Sequence, residues 1–162
     1  MTALESDLEV LERAMRMFFQ TMKRPQHWAR VSARSGLAID RPSSAILHIL
    51  MHSKSHACRV QDVAHLLGVE APSVTRKTQE LELSGLIRRV PDSRDKRAVD
   101  LRITPRGRTI AKRLWQAQRE VMYQTLANWD ESERRTFVKL FERFSQDYVS
   151  SVEAEHLNKR KD

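Results

Sequence analysis

The spacing of hydrophobic positions divides this chain into elements before any residue chemistry is considered. Leu4, Leu8, Leu11, Met15, Phe18 and Met22 advance in alternating steps of four and three, the seam of a long amphipathic helix packed lengthwise on another. Glu5, Asp7, Glu9 and Glu12 fall early in it, toward the positive end of its dipole. Pro25 interrupts or kinks the pattern, and HWARVSARSGLAI leads to a boundary at Gly36. Asp40 then precedes Pro42 as a cap and first-turn pair, and SSAILHILMHS reads as a short, deeply buried helix. Val60, Val63, Ala64 and Leu67 keep a helical period that stops at Gly68, and a second helix begins near Ala71 with Pro72 in its first turn. After Gly85 the period becomes two. Leu86, Ile87 and Val90 form one extended run, Val99, Leu101 and Ile103 alternate with Asp100 and Arg102 in another, and PDSRDKRA joins them as a hairpin. Thr104 and Pro105 start a further helix, carried by Ile110, Ala111, Leu114, Ala117, Val121, Met122 and Leu126 to about Asn128. Asp130 and Glu133 have the spacing of a reciprocal cap, and Phe137, Leu140, Phe141, Phe144 and Tyr148 mark the last helix.

The middle of the chain carries the most specific signal. Ala64, Gly68 and Val74 fall where a helix-turn-helix needs a small residue for close contact, a turn former and an apolar anchor under its second helix. On that second helix Val74, Thr78 and Leu81 share one face, Pro72, Arg76 and Gln79 point the opposite way, and Ser73 and Thr75 flank them. Arginine can hold guanine O6 and N7 with two hydrogen bonds, and hydroxyls suit phosphates or base edges, so this face has the chemistry of major-groove readout. With Lys77 these residues form the predicted helical contact set. Arg94, Lys96 and Arg97 would project from the hairpin tip, with Asp92 and Asp95 available to hold the arginines. Such a loop suits a phosphate backbone or a minor groove, whose narrow, negative channel attracts arginine. The plain alternative for both features is a solvated polar helix face beside a solvated charged loop.

Charge adds to this picture. The 162 residues hold 29 Lys and Arg against 21 Asp and Glu, a formal net charge of +8, and a polyanionic partner is the simplest inference. No long uncharged apolar stretch exists and MTALESDLEV is acidic rather than a signal sequence, so a cytoplasmic protein without membrane attachment is expected. The single cysteine, Cys58, rules out an intrachain disulfide framework.

From APSVTRKTQELELSGLIRRVPDSRDKRAVDLRITPRGR onward the chain resembles the MarR-type winged-helix transcriptional regulators. The resemblance is carried by SVTR, the LSGLI turn, the D-x-x-D-x-R wing with its alternating strand, and T-P-x-G, within an order of elements that spans nearly the whole chain. It implies that Pro72, Ser73, Thr75 and Arg76 lie at the major groove, that Arg94 and Arg97 belong to the wing, and that Asp95 orients an arginine there. Lys77 and Thr78 stand where that family has apolar residues, and Glu80 where it has a basic one.

The expected fold is mainly α with a small β-hairpin wing: a winged helix-turn-helix with N- and C-terminal dimerisation helices. Residues 1–35 would form the N-terminal dimerisation helix, 40–107 the DNA-binding domain, 108–155 the C-terminal dimerisation helices and 156–162 a charged tail. Amphipathic helices at both ends cannot easily bury their faces within one chain, and a two-fold homodimer solves that problem. The expected function is sequence-specific binding of double-stranded DNA at a palindromic operator, as a ligand-responsive repressor. The resemblance implies a small anionic aromatic ligand between the dimerisation helices and the reading head, where Trp28, Arg30, Arg34, His48 and His52 are the candidates.

Other readings follow from other residues. His48, His52 and His56 recur every four positions with Cys58 close behind, which raises metal or thiol-redox sensing as alternative triggers. No second ligand cluster accompanies them, so neither a metal nor a cofactor is expected. An enzyme is not expected either, since the chain has no phosphate-cradling loop, no nucleophile motif and only 4 glycines. A winged-helix module used for protein–protein assembly is the remaining alternative, because a fold does not dictate a function.

Overall fold

The computed structural model describes residues 2–53, 56–91 and 99–158, with side chains described up to residue 152. The chain divides into two compact units, the first ending at Glu120 and the second beginning at Val121.

In the first unit, α1 (Ala3–Lys23) opens with a capping box: the Thr2 hydroxyl accepts from the Glu5 N–H while the Glu5 carboxylate accepts from the Thr2 N–H. α1 buries none of its residues. Pro25 begins a separate helix, α2 (Pro25–Ser35), after Arg24 turns to an extended conformation, so residues 1–35 form two helices instead of one. Proline explains the break, because it cannot supply the N–H that would continue α1 and it fits a first turn. α3 (Arg41–His52) is capped by Asp40, whose carboxylate accepts from the Ser43 N–H at 2.9 Å.

β1 (Ala57–Arg59) leads directly into α4 (Val60–Leu67), and α5 (Ala71–Leu83) follows across Gly68. Gly68 has φ +62°, which closes α4 and lets the Val69 N–H reach the Ala64 carbonyl at 3.0 Å. β2 (Ile87–Pro91) and β3 (Val99–Ile103) pair antiparallel in the register Ile87↔Ile103 to Pro91↔Val99. The expected hairpin is in fact part of a three-stranded sheet of order β1-β3-β2, since Cys58 pairs with Leu101 on the free edge of β3. Three residues are too short for an alternating pattern to show, which is why β1 is silent in the sequence.

The core of the winged domain lies between the helices and one face of this sheet. Ile46, Leu47 and Leu50 of α3, Val63 and Ala64 of α4, Val74 and Leu81 of α5, Ile87, Leu101 and Ile103 of the strands and Ala111 form one cluster. Fully burying each large aliphatic side chain contributes about 1.5–3 kcal/mol. α6 (Pro105–Leu126) starts against this core. The Thr104 hydroxyl accepts from the Gly107 N–H and itself donates to the Gly85 carbonyl at 2.8 Å, while the Thr104 N–H donates to the Leu86 carbonyl at 3.0 Å.

In the second unit Asp130 and Glu133 make the reciprocal cap at the start of α7 (Glu131–Asn158), with bonds of 3.0 and 2.8 Å. Trp129, just before α7, meets Phe137 edge to face, Phe137 stacks on Phe141 and Phe144 stacks on Tyr148. Among its described side chains α7 buries none. No helix among the described residues is long and apolar enough to cross a membrane.

Candidate nucleic-acid interface

α5 separates its residues by face as its sequence predicts. Val74, Thr78 and Leu81 are buried against the core, while Pro72, Ser73, Arg76 and Gln79 are exposed and Thr75 is half-buried. Thr75 directs its hydroxyl to the Ala71 carbonyl at 3.0 Å, which leaves the oxygen's lone pairs available outward. Pro72 in the first turn costs α5 no hydrogen bond, and the Ser73 and Val74 N–H groups that follow it donate to the Glu70 carbonyl at 3.1 and 3.5 Å.

The three departures from the family pattern form two fastenings of α5. Lys77 donates to the Asp40 carboxylate at 2.7 Å and to Glu80 one turn away, so its ammonium is drawn to the cap of α3. Burial raises the Asp40 carboxyl, but hydrogen bonds from Lys77 and Ser43 and the charge of Lys77 outweigh it and hold Asp40 below the usual carboxylate range. Hydrogen bonding to Asp40, then to Glu80, pushes the Lys77 ammonium up. Thr78 is fully buried; its hydroxyl donates to the Thr75 carbonyl at 2.9 Å and accepts from Arg89 Nη2 at 3.2 Å. Arg89 also pairs with Glu82 through Nε at 3.1 Å. Neither Arg89 nor Glu82 stands out in the sequence; their only trace is two opposite charges on either side of the Gly85 turn.

The wing candidates Arg94, Asp95, Lys96 and Arg97, together with Asp92, lie outside the described residues. β2 and β3 are described up to Pro91 and from Val99.

The ligand candidates are distributed over separate places. Trp28 is half-buried and its indole N–H donates to the Ile39 carbonyl at 2.8 Å. Arg30 and Arg34 are exposed on α2. Arg34 borders an open cleft of about 330 Å³ whose other walls are Ser35, Arg113, Gln116, Ala117 and Glu120, and Arg113 donates to the Ser35 carbonyl at 2.9 Å. His48 and His52 stand together on α3 with ring centroids 4.2 Å apart, and Trp115 of α6 stacks on His48 at 5.2 Å, a contact that the sequence does not announce. Burial, then the neighbouring His52, pushes the His48 pKa down. His56 is placed differently, with φ +52° and its ring Nδ1 donating to the Met51 carbonyl at 3.0 Å. Among the described residues no three His, Cys, Asp or Glu side chains converge as a metal would require. Burial, with Asp62 and Asp100 nearby, pushes the Cys58 thiol up, opposite to what a reactive thiolate needs.

A helix-turn-helix followed by a two-stranded wing, with a polar and basic face on its second helix, defines a winged helix-turn-helix protein. Residues 39–99 match the model of the MarR family, and the chain carries a MarR-type winged helix-turn-helix. Solved structures agree in fold. A MarR family protein from Bacillus stearothermophilus is 18% identical, with 90% of this chain and 97% of that one covered at a TM-score of 0.78. Wild-type MarR from E. coli, in its apo form, is 20% identical over 83% of this chain and 95% of its own, with a TM-score of 0.69. The transcriptional regulator Tm0710 from Thermotoga maritima is 19% identical over 88% and 96%, with a TM-score of 0.64. No curated protein matches the chain. The resemblance drawn from the sequence therefore holds in the family match and in the fold.

Proposed function

We propose that this protein is a homodimeric transcriptional regulator that binds double-stranded DNA at a palindromic site and acts as a ligand-responsive repressor. The observation that carries this reading is the division of α5, which buries Val74, Thr78 and Leu81 and leaves Pro72, Ser73, Arg76 and Gln79 outward. Arg76 is the base reader, Ser73 and Thr75 serve phosphates or base edges, and Arg94, Lys96 and Arg97 of the wing supply backbone or minor-groove contacts. Lys77 acts in this reading by fastening α5 to the cap of α3, its ammonium held between Asp40 and Glu80.

Dimerisation is supported by the terminal helices. Leu4, Leu8, Leu11 and Phe18 of α1 and Phe137, Leu140, Phe141 and Val152 of α7 are all more than a third exposed, an apolar area that a soluble chain covers by pairing. The ligand reading is supported by the cleft at Arg34 and Arg113, where two guanidinium groups stand beside one carboxylate, Glu120. A ligand there acts only through different affinities for the DNA-competent and incompetent arrangements.

Selection of bound fragments from random duplex DNA, with and without phenolic acids, tests the reading. It predicts enrichment of an inverted repeat with half-sites about 10 base pairs apart, and loss of enrichment with an effective ligand. A pool that stays random at low salt contradicts it.

A further inference from the structure

Arg89 lies opposite Leu101 in the β2–β3 register, on the core face of the sheet, yet its backbone N–H, Nε and Nη2 find partners on α5. Its backbone N–H donates to Glu82 Oε1 at 3.1 Å, its Nε to Glu82 Oε2 at 3.1 Å and its Nη2 to the Thr78 hydroxyl at 3.2 Å. Thr78 passes the chain on to the Thr75 carbonyl inside the helix. Thr78 and Glu82 are one turn apart, so a single residue at the root of the wing grips α5 at two points separated by about 6 Å along its axis. The Arg89 and Glu82 side chains are 31% and 38% exposed, shielded enough to keep some of the strength an open surface pair loses. Leu81 of α5 and Ile87 of β2 otherwise belong to the same apolar core. Apolar contact is non-directional and tolerates sliding and pivoting, whereas hydrogen bonds to two points fix both distance and angle.

We propose that Arg89 is a positioning residue: with Glu82 and Thr78 it sets the distance and angle between the reading face of α5 and the wing, and thereby the ability of the pair to tell one DNA sequence from another. It touches no DNA itself. The inference rests on the DNA-binding reading for its consequence, but its geometric half stands without DNA. Two contact elements must meet a duplex simultaneously, and a loose joint between them weakens the match to the preferred site more than the general attraction to phosphates.

The test uses the full chain with Arg89→Met, which keeps the length and removes the fork, and Arg89→Lys, which keeps the charge and one bond. In DNA-free protein with Cys58→Ser, nitroxide labels at positions 79 and 99 report the spacing of helix and wing strand. Arg89→Met should broaden that distance distribution, and Arg89→Lys should restore thermal stability without restoring its width. In unlabelled protein, Arg89→Met should lower the ratio of affinities for selected and scrambled duplexes about tenfold, with scrambled-duplex affinity and its salt slope within about twofold of wild type. An unchanged distance distribution overturns the proposal whatever the DNA result. Equal losses on both duplexes overturn it too, by reducing Arg89 to a structural prop. Wild-type protein that fails to distinguish the duplexes sinks the DNA-binding reading instead, and the label distances still decide the clasp. Should Arg89→Met not fold, Glu82→Gln, which keeps an acceptor for the Arg89 N–H, is judged by the same readings.

Discussion

Gly107 offers the sharpest prediction about how the wing is anchored. A Cβ built at this position would lie 2.0 Å from the Leu86 carbonyl oxygen and 2.9 Å from Cγ1 of Ile103. Carbon and oxygen approach no closer than about 3.3 Å even in favourable C–H···O contacts, so Gly107→Ala must part the start of α6 from the start of β2 by about 1.3 Å. That movement strains the bond from the Thr104 N–H to the same carbonyl at 3.0 Å, and the weaker branch, at 3.1 Å, of the Thr104 hydroxyl's proton that it shares with the Gly85 carbonyl. Overpacking costs about 1–3 kcal/mol, and two weakened hydrogen bonds add about 0.5–1.5 kcal/mol each. Alanine's helix preference over glycine returns at most about 1 kcal/mol. The net expectation is a loss of about 1–5 kcal/mol, read by urea unfolding at fixed protein concentration with the midpoint and slope fitted separately. A variant as stable as wild type would refute the close approach, and with it the placement of the Thr-Pro-x-Gly turn against the wing root.

Other expectations follow from the same geometry. Arg76→Ala should weaken binding to the preferred duplex by about 1–3 kcal/mol and relax base preference at one position per half-site, whereas equal losses on all sequences would contradict base reading. Asp40→Asn keeps an N-cap but removes the charge that faces Lys77. Because the folded-state Asp40 pKa is depressed, its contribution is present above the unfolded value near 3.9 and is lost as pH falls through the folded one. The variant should therefore be less stable than wild type at pH 7, with the difference shrinking as pH falls below the ordinary carboxylate range in thermal melts; a constant difference from pH 7 into acid would mean the charge is irrelevant. Replacing Leu8 and Phe18 with glutamate should give monomers in sedimentation, and a variant that stays dimeric would remove α1 from the interface.

Much of this fold is legible in the sequence because its signals are local. Gly68 ends α4, Pro72 opens α5, and Asp130 with Glu133 caps α7, each through contacts within a few residues. The burial of Val74, Thr78 and Leu81 follows from helical period alone. What period could not reveal are contacts set by tertiary approach. β1 is visible only once β3 offers it an edge, the stacking of Trp115 on His48 joins residues far apart in the chain, and the Arg89–Glu82–Thr78 clasp requires knowing how β2 meets α5. Thr78 and Lys77 look like departures when read against a pattern; in three dimensions each is a partnered polar group that fixes the same helix.

The central claim, that two copies of α5 read one duplex through a two-fold axis, is tested most directly by changing half-site spacing. Titration of the selected inverted repeat should give one dimer per duplex and tight binding, and inserting about 5 base pairs, half a helical turn, should bring affinity down to that of scrambled DNA. Equal affinity for both spacings would contradict the account.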